Sequence, residues 1–557
     1  MNTEIGKITA QVQEVKPPPT PLQRNVARLG RYIGILVLGI IVALIIIGLT
    51  KGYTFEEMFA LAVAATVSAI PEGLPVMVTV VLALGMKRMA NRHALIRKLP
   101  AVETMGAVTV ICTDKTGTLT ESEMTVRQLY LPGRMFEVTG AGYRPEGDFL
   151  ENGNKLEPQQ DASLLLALRI SALCNDSTIK LQDDKNQLMG DPTEGALLVA
   201  ALKAGLKQDI LQKEQPRLAE LPFSSEKRYM ATLHPCQDGK AVVYVKGSVD
   251  RVLAMCSRIS ENNTTLKLTP EKSDDVEKFN EEMASKALRV MALAYAECSP
   301  APEQLTHEHL DGSLTFIGLA GMIDPPRAEV KKAVADCKKA GIKVVMITGD
   351  QKPTAVAIAK ELGFPEGEAL TGLELEKLNS EELRDRIEHI SVYARVEPLH
   401  KLRIVSGLKA KGYTVAMTGD GVNDGPALRS ADIGIAMGIR GTDVAREASD
   451  MVLTDDNFAS IVAAVEEGRV IFSNIRRSVF YLLSTSIGEL ITWITAIIVG
   501  IPLPVVAVQI LWINLVTDGV CTIPLGLEPR HRNVLMEPPR QAKAGIVYSG
   551  MLWRIAF

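Results

Sequence analysis

Residues Tyr32 to Thr50 read YIGILVLGIIVALIIIGLT, without one charged side chain. A run of that length and polarity spans a bilayer as a helix, because each backbone group then finds its partner within the segment. Phe59 to Met86, Val479 to Val499 and Val505 to Leu525 are three more long apolar runs, each with a single carboxylate, and Ile546 to Phe557 opens a fifth. Charged residues still make up 23% of the chain, against 47% hydrophobic, so apolar residues are concentrated in these runs. The long stretch between Met86 and Val479 is polar and demands domains of its own. A multidomain α/β protein with transmembrane helices is expected.

Charge sets the orientation. The first two runs are joined through Lys51 alone among basic residues, and Gly500 to Pro504 carries none. Arg530, Arg532, Arg540 and Lys543 follow the fourth run. The positive-inside rule places that side, with Met1 and the polar middle, in the cytoplasm. MNTEIGKITA is too polar for a secretory signal, and QEVKPPPTPLQ reads as a stiff linker before the first span. The net charge of −4 and pI near 6.1 give no reason to expect a nucleic-acid partner. Seven scattered cysteines without a CxxC pair argue against a disulfide framework or a thiolate metal site.

Within the polar middle, VTVICTD, KVVMITGD, YTVAMTGD and SDMVLTDD are short apolar runs, each ending in aspartate. Buried parallel strands read this way. Amphipathic stretches such as Ala328 to Ala340 separate several of them, with Gly341 as a cap. An open α/β sheet results, and such sheets bind ligands at the carboxyl ends of their strands. Asp114, Asp350 and Asp420 all fall at such ends. LPFSSEKRYMATL and AVVYVKGSVD read as strands of a second sheet, inserted between Met124 and Ile317.

ICTDKTGTLT (Ile111 to Thr120) gathers a carboxylate, a cation and hydroxyls around a glycine. A carboxylate at a strand end can attack the γ-phosphorus of ATP and form an acyl phosphate. Lys115 offers charge, and Thr116, Gly117 and Thr118 offer backbone N–H groups and hydroxyls to phosphate oxygens. Mg2+ suits a carboxylate pair such as Asp114 with Asp420. Met346 to Asp350 (MITGD) and Met417 to Leu428 (MTGDGVNDGPAL) strengthen this reading, and no P-loop signature GxxxxGK[ST] occurs.

With these motifs the chain resembles the P-type ATPases, cation pumps that pass through an aspartyl-phosphate. The resemblance covers nearly the whole chain. It implies a haloacid-dehalogenase-like phosphorylation domain with an inserted nucleotide-binding α+β domain, and Asp114 as the phosphorylated nucleophile. It also implies Mg2+ on Asp114, the Thr116 carbonyl and Asp420. Lys115, Thr348, Gly349, Asp350 and Lys401 would serve the phosphoryl group, with Asn423 and Asp424 completing the site. Phe223, Lys246 and Gly247 of VKGS, Arg289 and Arg395 match positions that hold the nucleotide, and Glu194 of GDPTEGALL matches a nucleotide-side carboxylate. VKGS stands where VKGA is more usual.

Proline within IPEGLP should break the second span at Glu72 and free the carbonyls of Val67, Ser68 and Ile70. Glu489 on the third span joins them, as do Asn514, Thr517 and Asp518 on the fourth. Their i, i+3, i+4 spacing puts the last three on one α-helical face. Intramembrane carboxylates with amide, hydroxyl and carbonyl oxygens suit a hard cation. PEGLP and NLVTDG resemble calcium pumps of the sarcoplasmic-reticulum type and bacterial relatives, although Ser486 stands where those often have asparagine. The expected activity is ATP-driven Ca2+ export across a bacterial-type plasma membrane, with Na+ or Mn2+ as alternative ions. The expected partners are the lipid bilayer, ATP and the cation, with no obligate protein partner.

The resemblance divides the chain as follows. Residues 1–31 are the end of an actuator domain and a linker, and 32–92 are two spans (32–50 and 59–86) with a stalk. The phosphorylation domain takes 93–123 and 318–470, and the nucleotide domain 124–317. Residues 471–527 hold two spans (479–499 and 505–525), 528–545 a cytoplasmic loop and 546–557 the start of another span. No TGES loop is present, so the chain is expected to be a fragment of a pump, with a non-transporting nucleotide-binding remnant as the alternative.

Overall fold

The computed structural model describes residues 21–50, 52, 54–56, 58, 59, 62, 63, 66, 73–180, 186–236, 240–299, 304–501, 505, 507–529, 534–540 and 545–556. The chain divides into two compact units. The first holds residues 1–114, 329–349 and 363–557, and the second residues 115–328 and 350–362.

The first unit is built on eight strands: β1 (Ala94–Ile96), β2 (Val110–Asp114), β3 (Lys343–Ile347), β4 (Glu368–Thr371), β5 (Ile390–Ala394), β6 (Val415–Gly419), β7 (Ile433–Met437) and β8 (Met451–Leu453). Their order across the sheet is β1-β8-β7-β6-β2-β3-β5-β4. All neighbours are parallel except β1, which runs antiparallel to β8. Val110, Cys112, Val345, Ile347, Val415 and Met417 are buried in a core on one face, and Ile111, Val344, Met346 and Ala416 are buried on the other, so these strands are covered on both faces. Strand order reverses at β2, which lies between β6 and β3. A crevice opens at the carboxyl ends at such a point, and the register there sets Asp114 against Ile347.

Among the described residues, the helices of this unit that carry apolar runs include α1 (Pro21–Thr50), α2 (Gly73–Ala90), α3 (Phe458–Val499) and α4 (Ser549–Ala556). Among the described residues, Gly30–Thr50 and Phe458–Val499 are long and apolar enough to cross a membrane. Helix α1 already begins at Pro21, so the last residues of the expected linker are helical; proline is favoured in a first turn, where its missing N–H is not needed. The run from Val505 to Leu525 is not one α-helix. Ala507–Trp512 leads into a π-helical turn, Ile513–Asp518, and then into Gly519–Gly526, which contains Pro524.

Helix α3 has 42 residues, about 63 Å at 1.5 Å per residue, and so runs from the sheet into the apolar segment without interruption. The Asn457 side chain caps its start and Gly500, with φ of 80°, ends it. Arg469 on this helix donates to the carbonyls of Ala340, Val534 and Glu537. Gly468 meets Gly106 of helix Leu99–Gly106 so closely that a Cβ on Gly468 would lie 2.5 Å from the Gly106 nitrogen. Gly468→Ala should therefore destabilise this unit by about 1–3 kcal/mol, read as a lower thermal midpoint. Gly488→Ala, whose Cβ meets nothing within 4 Å, is the control expected to leave the midpoint in place or raise it. Equal midpoints for the two variants would mean that the glycine contact carries no packing constraint.

The second unit is a mainly antiparallel sheet of eleven strands. Its centre runs Thr125–Leu131, Leu314–Ile323, Arg289–Cys298, Ala241–Gly247 and Tyr229–Pro235. Helices Ala162–Leu173 and Pro192–Lys203 contribute Leu164, Leu168 and Leu197 to one core, while Val252, Val276 and Met283 belong to another. Strand Leu314–Ile323 runs straight through residue 317 and pairs with Thr125–Leu131. The second unit accordingly extends beyond residues 124–317, because hydrogen-bonded pairing holds the strand together across that point.

Candidate functional site

At the carboxyl end of β2, the Asp114 backbone N–H donates to Thr418 Oγ1 at 2.9 Å, which ties it to β6. Lys401, near the start of helix Pro398–Ala410, donates to Asp114 Oδ2 and to Asp424 Oδ1, both at 2.8 Å. The second oxygen of Asp424 accepts from the N–H groups of Asp420 and Gly421, each at 3.1 Å. Lys401 is buried, and burial disfavours its charge. The two carboxylates outweigh that and hold its ammonium above the usual lysine range. Burial first, and then Asp114 and Asp424, push Asp420 above the ordinary carboxylate range, with Lys401 opposing.

Two carboxylates thus share one ammonium, with the Asp420 carboxylate close enough to feel all three, and the remaining negative balance fits a hard divalent cation bound through oxygen. Among the described residues no group of three or more His, Cys, Asp or Glu is arranged as a metal cage. Mg2+ does not need one, since it takes one or two carboxylates and keeps its waters. Thr348 and Gly349 follow β3; Thr348 is buried, with its N–H bonded to the Tyr393 carbonyl, while Gly349 is exposed. Asn423 is exposed beside Asp424. Arg395, just after β5, is exposed with φ of 47°, a left-handed conformation that a non-glycine residue adopts at a cost.

In the second unit, Lys115 is buried and pairs with Asp350 at 2.5 Å. Thr116 is exposed, and Gly117 turns the chain with φ of 79°, where a side chain would be strained. The turn is fastened from behind. Thr120 Oγ1 donates to Asp324 Oδ2 at 2.5 Å, and Arg327 donates to the carbonyls of Thr120 and Gly117. Asp324 and Arg327 belong to the IDPPR stretch, which carried no motif weight in the sequence reading. An aspartate before two prolines and an arginine was the available signal.

Elsewhere in this unit Lys246 and Glu194 form a 2.6 Å ion pair with the lysine 4% exposed. Met230 faces Lys246 across the sheet. Glu194 Oε2 also accepts from the N–H groups of Asp176 and Ser177. Gly247 ends the same strand, where a Cβ would meet the Arg228 carbonyl at 2.6 Å. Phe223 is 60% exposed, so its ring is not part of the core, and Arg289 is exposed at the start of its strand.

The apolar end of the first unit holds a polar cluster. Asp518 and Asn514 on the π-turn are buried. Thr485 on α3 donates to Asp518 Oδ2 and Tyr481 donates to Oδ1 at 3.4 Å. Tyr481, Thr485 and Glu489 lie at i, i+4, i+8 and so form one stripe of α3. The sequence reading missed Tyr481 and Thr485, although that spacing back from Glu489 was visible. Ser486 is buried and Glu489 half-buried. The expected α-helical turn through Asn514, Thr517 and Asp518 gives way to a wider π-helical one, on which Asn514 and Asp518 are both buried. Val67, Ser68, Ile70 and Glu72 lie outside the described residues, as does the Thr517 side chain.

Residues 163–329 match the family described as P-type ATPase, cytoplasmic domain N, and residues 502–557 match cation transporting ATPase, C-terminus. A calcium-transporting ATPase of Bacillus subtilis is 42% identical over all of this chain and 62% of its own length. A cation-transporting ATPase of Synechocystis is 44% identical, over 99% of this chain and 62% of its own. Calcium-transporting ATPase type 2C member 1 of Bos taurus is 42% identical over all of this chain and 57% of its own. The chain thus spans about three-fifths of the length of these relatives.

Proposed function

The chain belongs to the P-type ATPase family, and on that premise we propose that it is the phosphorylating and ion-binding part of an ATP-driven calcium pump with cytoplasmic catalytic units. Asp114 would attack the γ-phosphorus of ATP. The bond from γ-phosphorus to the β,γ-bridging oxygen breaks, ADP leaves with the electron pair, and an acyl phosphate remains on Asp114. Lys401 engages Oδ2, leaving Oδ1 as the oxygen without a lysine contact. The ammonium lowers the repulsion between carboxylate and phosphate, and Asp424 keeps it in place. Mg2+ would be held by Asp114 and Asp420, with the Thr116 carbonyl as the further expected ligand. When bound it would neutralise charge on the transferring phosphoryl oxygens.

On the second unit, the exposed Phe223 ring is suited to stacking on adenine, and the exposed Arg289 supplies positive charge for phosphates, while Lys246 on the neighbouring strand would have to leave its Glu194 partner to do so. Calcium is the assigned ion, because Asp518, Asn514 and Glu489 offer hard oxygens in an apolar segment. Those relatives named for calcium point the same way. The observation that carries the whole reading is the Asp114–Lys401–Asp424 bridge at the point where strand order reverses.

The test is labelling with γ-32P-ATP, quenched in acid, while Ca2+, Na+ and Mn2+ are titrated. Ca2+ should raise the phosphoenzyme level at the lowest concentration. Asp518→Asn should weaken that response more than Ser486→Ala, since a carboxylate contributes charge as well as an oxygen. Activation by Na+ with no response to Ca2+ would transfer the assignment to an alkali-metal pump.

A further inference from the structure

We propose that a cavity between α3 and α4 binds the phosphodiester headgroup of an acidic phospholipid. The cavity has a volume of about 250 Å³ and is lined by Ser473, Arg476, Arg477, Phe480, Tyr548 and Arg554, among others. That is about eight times the ~30 Å³ a water molecule occupies in the liquid, enough for a headgroup phosphate. Three guanidiniums converge on it. Arg477 is paired with Glu528, but Arg476 and Arg554 have no carboxylate partner among the described residues. Like charges gathered around one hollow repel unless an anion sits between them.

The hollow is also shaped for a particular anion. The Arg476 guanidinium lies over the Tyr548 ring at 4.2 Å from its centroid, which fixes the plane of its fork. A planar fork matches two oxygens of a phosphate, and the Ser473 and Tyr548 hydroxyls can donate to the others. Position selects the source. Arg476 and Arg477 are the last charges on α3 before the apolar run from Val479, and Arg554 sits on α4 beside Trp553, which is 78% exposed. Arginine, tyrosine and tryptophan together mark the level of lipid headgroups on the positive side of a membrane. Neither the Asp114 site nor the Asp518 cluster shares a lining residue with this cavity.

The inference rests on the membrane reading above, and the experiment separates the two. The chain is expressed, and its partition into the membrane fraction is measured first. It is then extracted in mild detergent with phosphatidylglycerol, with phosphatidylcholine, or with inorganic phosphate alone, and bound ligand is counted by native mass spectrometry. Wild type should recover from membranes and retain phosphatidylglycerol about tenfold over phosphatidylcholine. The Arg476→Gln, Arg554→Gln double variant should lose that preference. Arg554→Gln alone, at an exposed position, should reduce it and guards against a folding defect in the double variant. A wild type absent from membranes would overturn the membrane reading itself. Equal retention of both lipids, an unchanged preference in the variants, or saturation by inorganic phosphate without lipid would each overturn the headgroup assignment.

Discussion

Asp114→Asn is expected to reduce acid-stable labelling from γ-32P-ATP to background while the protein stays folded. The substitution keeps shape and removes the carboxylate nucleophile at the end of β2. An amide can still accept from Lys401 through its carbonyl oxygen, so the sheet and its cores should survive. A carboxamide cannot form an acyl phosphate, however, and of the neighbouring carboxylates Asp424 is already held by Lys401 and by two backbone N–H groups. Thr418 is engaged by the Asp114 backbone and lies on the neighbouring strand. The measurement is labelling beside circular dichroism of the same preparation. Label retained at wild-type level, and resistant to hydroxylamine, would place the phosphate on another group.

Lys401→Met should be the next most damaging change, and it should harm stability as well as labelling. The methionine fills the space of the lysine stem but leaves Asp114 and Asp424 facing each other without their shared cation. Breaking a buried ion pair from one side typically costs about 3–5 kcal/mol. The sign with pH follows from the raised lysine pKa. A cation held above its unfolded value contributes fully below the unfolded pKa and is lost only as pH rises through the folded one. Across neutral pH the wild-type contribution is therefore complete, and raising the pH toward neutrality cannot rescue the variant. Acidification should narrow the difference instead, by protonating the stranded carboxylates. Denaturant midpoints of both proteins at several pH values check this. A gap that stays constant down to acid pH would contradict the account.

Much of the candidate site around Asp114 was legible because its signals are local. An apolar run ending in aspartate specifies both a buried strand and a carboxylate at its tip, and DKTGT, MITGD and MTGDGVND are such signals. What joins them is not local. Lys401 reaches Asp114 across the sheet, and nothing near Lys401 in sequence says that it bridges to Asp424 as well. Thr418 was read as part of a strand, yet its hydroxyl fixes the Asp114 backbone. Asn514, Thr517 and Asp518 have α-helical spacing, and spacing alone cannot reveal that the turn widens there. Likewise the strand Leu314–Ile323 looks like a boundary in sequence, and only its pairing with Thr125–Leu131 carries it into the second unit.

The γ-phosphate of ATP is expected to come to rest on the Asp114 carboxylate. Phosphorylate the chain with Mg-ATP and Ca2+, quench in acid, reduce with sodium borotritide, and sequence the labelled peptide. Reduction of an acyl phosphate converts its aspartate to tritiated homoserine, so the account predicts that product at position 114, in ICTDKTGTLT. Tritium absent from that peptide, or homoserine at Asp350 or Asp420 instead, would contradict it.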